Sequence, residues 1–152
     1  MAVKIRETPR VTIYFLLALA GVARAQPTHV PRTAVEVGEV LRAGGVLFTY
    51  PITDASNTKD FAEAEKKAGI VSTAGTGLPN ADVHIYLFAS PDLRRQASLR
   101  VHLDPELAGY VFSAECGLIS VDFTAAKKDD PKILQESRKA YQILNSRYGC
   151  SP

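Results

Sequence analysis

The stretch DVHIYLFA, Asp82 to Ala89, alternates without a break: Val83, Ile85 and Leu87 fall on one side, Asp82, His84 and Tyr86 on the other. Only an extended strand, with its two-residue period, separates these sets onto opposite faces. A chain carrying it must cover one face of a sheet with apolar material and can leave the other to water. Ser98 to Asp104 repeats the pattern with Leu99, Val101 and Leu103. The residues between them, SPDLRRQA, offer Ser90 as a cap and Pro91 at a first helical position, which suits a single helical turn. They are too few for a parallel crossover. A β-hairpin spanning 82–104 is therefore expected.

That hairpin holds a mirrored pair, Asp82-x-His84 and His102-x-Asp104. With every inward residue odd-numbered, a symmetric register sets Val83 against Leu103, His84 against His102, Asp82 against Asp104 and Tyr86 against Arg100. Neighbouring registers offset the imidazoles diagonally, since only burial of one face fixes the pairing. Opposed imidazoles on adjacent strands have Cβ atoms about 4.5–5.5 Å apart. They can converge on zinc or copper with a carboxylate, or form an acid–base pair with Arg100 and Glu115 nearby. The plain alternative is the solvated side of a hairpin. No ligand spacing matches a zinc motif, so no metal or other cofactor is assigned, and His84 and His102 stand only as weak metal candidates. Tyr86 and Phe88 make the same face amphipathic, and aromatic residues beside an arginine are what protein interfaces enrich. The candidate binding surface is accordingly Asp82, His84, Tyr86, Phe88, Arg100, His102 and Asp104.

The rest of the chain supplies helices and further strands. In TAVEVGEVLRAGGVLFTYPI, Ala34, Val37, Val40 and Leu41 repeat at helical spacing, Gly44-Gly45 breaks the run, and VLFTY favours a strand ending at Pro51. A hairpin across Ala43-Gly44-Gly45 is the other reading. NTKDFAEAEKKAG reads as a short helix, capped by Asn57 or Thr58, with Lys66 and Lys67 in its last turn and Gly69 as its left-handed stop. STAGTGLPNAD reads as a loop; it lacks the Gly-Lys-Ser/Thr ending and following helix of a phosphate cradle. In GYVFSAECGLISVDFT, Tyr110, Phe112 and Ala114 alternate in one phase and Ile119, Val121 and Phe123 in the other. A bulge or a tight turn at Cys116-Gly117 is implied. The closing helix starts at Asp130-Pro131 and ends at Gly149, with Ile133, Leu134, Ser137, Tyr141, Leu144 and Tyr148 along one face. The fold class is α+β: a small antiparallel sheet of 3–5 strands covered by a C-terminal helix, with one or two short N-terminal helices.

Targeting and redox context follow from the ends. Lys4, Arg6 and Arg10 precede an apolar run from Val11 to Val22 and then Ala23-Arg24-Ala25, the three-part layout of a secretory signal peptide. A transmembrane anchor needs about 20 apolar residues, and this run is shorter. Residues 1–25 are read as the signal and 26–152 as one exported α+β domain, periplasmic or secreted after cleavage near Ala25. The signal holds four cations against one acid, so its removal takes +3 from the formal +2 and leaves about −1. That excludes the basic field a nucleic-acid partner requires, and no second apolar run is long enough to span a membrane after processing. Cys116 and Cys150 are the two cysteines, and in an oxidising compartment an isolated pair is expected to form a disulfide. Oxidation would remove Cys116 as a nucleophile. Ser72, Ser113, Ser120 and Ser137 lie in no Gly-x-Ser-x-Gly elbow, so an enzyme is not the favoured reading. The expected function is a small exported binding module, of inhibitor or immunity type, that meets another extracytoplasmic protein through 82–104. The alternative is an exported hydrolase or metal-binding protein using His84 and His102.

Overall fold

The alternation that starts at Asp82 is a strand, and it lies at the centre of a five-stranded antiparallel sheet. A computed structural model describes residues 29–56 and 58–150, with the side chains at 59–62 and 64 outside the description; the signal-peptide reading falls on residues that are not described. The strands are β1 (Thr53–Asp54), β2 (Ile70–Leu78), β3 (Ala81–Phe88), β4 (Val111–Cys116) and β5 (Ile119–Ala125), in the order β1-β2-β3-β5-β4. The helices are α1 (Ala34–Ala43), α2 (Lys59–Ala68), α3 (Pro91–Leu103) and α4 (Pro131–Tyr148).

The first face of the sheet is the core. The odd positions of β3 and β5 (Val83, Ile85, Leu87, Ile119, Val121, Phe123) are buried there. They meet Ala34, Val37 and Leu41 of α1 and Ile133, Ala140 and Leu144 of α4. Each helix has its own start signal. Thr33 accepts the Glu36 amide at 3.1 Å, and Asp130 accepts the amides of Lys132 and Ile133 ahead of Pro131, so orphan donors at both N-termini are satisfied. Gly38 lets α1 lie close to the sheet: a Cβ there would sit 2.9 Å from Ile52 and 3.1 Å from Ile85 side-chain atoms. On α4 the buried face runs through Ala140, while Tyr141, expected inside, is exposed.

The two cysteines are joined, which ties the end of α4 to the end of β4. The phase slip between β4 and β5 is a two-residue turn at Gly117-Leu118, with Cys116 paired to Ile119. Gly117 has φ 55, the left-handed geometry that glycine supplies at the first central position of a primed hairpin turn.

Three expectations change. The strand expected over Ser98–Asp104 is the second half of α3, so there is no hairpin across 82–104; β3 pairs with β2 and β5 instead. Leu93, Ala97 and Val101 recur every four residues and are the half-buried ones, whereas Leu99 and Leu103 stand 60% and 77% exposed. The period-two pattern there is coincidental, and Ser90, which accepts the Leu93 amide at 3.3 Å, starts a full helix. The helix with the turns after it is a crossover between β3 and β4, which run parallel on either side of β5. Second, STAGTGL lies in strand β2, not a loop: Gly75 and Gly77 pair with His84 and Asp82 of β3, and β1 pairs with Gly75 and Ala74 on the other side. Third, VLFTY forms no strand. Val46 is buried, and the segment is pinned to β2 by the Thr49 amide on the Gly77 carbonyl and the Thr76 hydroxyl on the Tyr50 carbonyl.

Candidate functional site: the cleft between the sheet and α3

The even positions of β3 face away from the core, and the sheet's lateral pairing decides what stands beside them. One row across the sheet is Thr73, Tyr86, Ser120, Glu115; the next is Gly75, His84, Asp122, Ser113. Parity places these side chains on one face. α3 passes over this face, and Glu65 of α2 reaches its near side. Between them is a cleft of about 270 Å³. Ile70, Tyr86, Phe88, Ala97 and Val101 line it with apolar surface; Glu65, Asp122, Ser113 and Ser120 add polar groups.

α3 is attached chiefly at its first turns. Arg94 forms an ion pair with Glu115 of β4, and its Nε donates to the Gly117 carbonyl at 2.8 Å. At the close of α2, Gly69 takes φ 77, and a Cβ there would fall 2.4 Å from Leu93. Glycine thus serves both the left-handed cap and the close packing of α3. Beyond Val101 the helix faces water.

Within the cleft, Tyr86 stacks against His84 with ring centroids 6.2 Å apart and lies tilted beside Phe88 at 6.4 Å. Burial pushes the Tyr86 phenol up to about 12, with the Asp122 and Glu65 charges adding to the effect. Burial also raises the Asp122 carboxyl. The Ser113 and Ser120 hydroxyls oppose this, Ser120 donating to Oδ1 at 2.9 Å; Glu115 reinforces it and His102 counters it. Glu65 is 8% exposed, and burial raises its carboxyl too. The Thr73 hydroxyl lies near enough to favour the ionised form, but neither Thr73 Oγ1 nor Glu65 Oε1 completes a hydrogen bond. A buried acceptor in that condition bears a desolvation cost that no completed hydrogen bond among the described residues offsets.

The residues singled out from the sequence separate into two groups. Tyr86 and Phe88 line the cleft, and His84 stands beside them, facing Asp122 and Gly75 in the ladder. Asp82 is exposed near the start of β3, and Arg100 is exposed on α3. His102 is also exposed on α3, its Nδ1 2.8 Å from the Ser98 carbonyl. Asp104 caps the end of α3 and accepts the Glu106 amide at 2.9 Å. His84 and His102 therefore do not face each other across a ladder, because one is on a strand and the other on the helix above it. Among the described residues no group of three or more His, Cys, Asp or Glu side chains is placed to hold a metal ion. Sequence reasoning missed Glu65, Asp122, Ser113 and Ser120 as one set, since three separate elements, α2, β4 and β5, supply them. Compared with protein-family models, curated proteins and solved structures, the chain matches none.

Proposed function

We propose that this is an extracytoplasmic binding module that holds a small molecule between the second face of its sheet and α3. The observation that carries the reading is the cleft itself, with an aromatic and aliphatic wall and a few convergent polar groups, the usual composition of a small-molecule site. It replaces the open hairpin face expected to meet another protein, since that hairpin is absent. Export is supported by the basic, apolar and Ala-x-Ala segments ahead of residue 26 and by the Cys116–Cys150 disulfide. Among the described residues no helix is long and apolar enough to cross a membrane.

The test is an amide chemical-shift titration of the oxidised mature chain with neutral, cationic and anionic aromatic fragments. At least one fragment is expected to move the amides of Tyr86, Ala97 and Asp122. The same fragment should move none of them in Ala97→Trp, whose indole fills the cleft. If no fragment perturbs these amides, or the perturbation persists in Ala97→Trp, the cleft is not the binding site.

A further inference from the structure

Taking the cleft as the binding site, we propose that its occupant is a small organic ammonium ion with an apolar body, the charge held by Glu65 and Asp122 and the body by Tyr86, Phe88 and Val101. The inference rests on the reading above and adds the chemistry of the ligand.

The uncommitted polar groups lining the cleft are mainly hydrogen-bond acceptors. The Glu65 carboxyl is buried, with the Thr73 hydroxyl near it but no completed hydrogen bond to Oε1. Asp122 accepts from Ser120 at 2.9 Å and keeps further acceptor capacity. Tyr86 lies within the field of both carboxylates, so the two acids flank one aromatic ring. Among the described residues Arg94 is the one lysine or arginine lining the cleft, and it is committed to Glu115 and the Gly117 carbonyl. His102 is exposed, its Nδ1 turned back to the Ser98 carbonyl. Glu65 and Asp122 thus line the cavity with neither in an ion pair among the described residues.

An alkylammonium group has three donors and no acceptor. It brings donors to the Glu65 and Asp122 carboxyls and can lie against the Tyr86 ring in a cation–π contact. A carboxylate or phosphate ligand would instead meet two acids of its own sign. A neutral alcohol brings one donor and no charge of its own, so it lacks the attraction of an ion pair. Ile70, Phe88, Ala97 and Val101 provide the apolar surface that favours a hydrocarbon or aromatic body over a bare inorganic cation.

Isothermal titration of the mature, oxidised chain with 2-phenylethylamine, 3-phenylpropan-1-ol and 3-phenylpropionate tests this. The amine is expected to bind at least roughly tenfold more tightly than the other two. Glu65→Gln and Asp122→Asn should each weaken the amine by roughly tenfold, with alcohol binding unchanged. Glu65→Gln removes a buried charge and should keep the fold; a thermal melt checks both variants, and either folded one suffices. Equal affinity for alcohol and amine, or amine binding undiminished in the folded variants, overturns the cation while leaving the cleft as a site. Failure of all three probes overturns it as well, and the fragment titration then separates a wrong ligand class, where another fragment still moves the cleft amides, from a wrong site, where none does.

Discussion

At the residue scale, the second face of the sheet carries buried polar groups that make no hydrogen bond among the described residues. Glu65 is the clearest case: a carboxylate 8% exposed with one oxygen unpartnered. Its raised pKa means the folded chain keeps the proton where the unfolded chain has lost it. From about pH 4.5, the ordinary glutamate value, upward through the folded-state value, the native state binds more protons, so stability falls as pH rises. Asp122 acts in the same sense from 3.8 upward. Denaturant titrations of wild type and Glu65→Gln between pH 4 and 8 should therefore diverge, with the variant gaining on wild type as pH rises and flattening the profile. Parallel profiles would place Glu65 in water. Part of this face was legible in the sequence, since parity alone put His84, Tyr86 and Phe88 on one side of a strand. Glu65 and Asp122 were not, because their juxtaposition is set by which strands neighbour β3, and no spacing along the chain encodes that.

At the element scale, the contrast between α4 and α3 shows what local signals can and cannot fix. α4 announces itself with Asp130-Pro131 and Gly149, and its apolar stripe has only one periodic reading. α3 carries the same start signal, Ser90-Pro91, but Leu99, Val101 and Leu103 satisfy a two-residue period while Leu93, Ala97 and Val101 satisfy a helical one. The helix prevails because β3 already has β2 and β5 as partners, so residues 98–104 find no open edge beside it. With no fully buried residue of its own, α3 depends on its anchor. Arg94→Ala leaves Glu115 half-buried without its cation and should cost about 1–3 kcal/mol, and hydrogen exchange along α3 should accelerate more than in α4. Equal acceleration in both helices would mean that the ion pair stabilises the whole fold and not this roof. β2 was illegible for another reason: Gly75 and Gly77 mark a loop in isolation, and become strand only when paired to β3, with β1 at Gly75 and the Thr49 amide at Gly77 on the other side. The disulfide acts on α4 and β4 together. Its 34-residue separation predicts a loss of about 3–4 kcal/mol on reduction in the chain-entropy description. Denaturant midpoints with and without reductant measure it; an unchanged midpoint would contradict the bond.

At the scale of the whole molecule, one sheet serves two purposes. Its first face, under α1 and α4, is a core in which Val83, Ile85, Val121 and Phe123 are fully buried. Its second face is only partly roofed, by a helix tethered at one end, and on that side lie three of the five unpartnered buried polar atoms among the described residues, those of Glu65, Thr73 and Glu115. A molecule with one tightly packed face and one loosely covered face can bind without disturbing what folds it, because the cleft can gain contacts while the core stays unchanged. The binding proposal depends on α3 being that roof. Nuclear Overhauser contacts in the oxidised, unliganded chain test this most directly. Sequential amide contacts should run from Asp92 through Leu103, and the methyls of Ala97 and Val101 should contact side chains on the second face of the sheet. Cross-strand α-proton contacts between residues 82–88 and 98–104 would restore the hairpin, remove the cleft, and contradict the account.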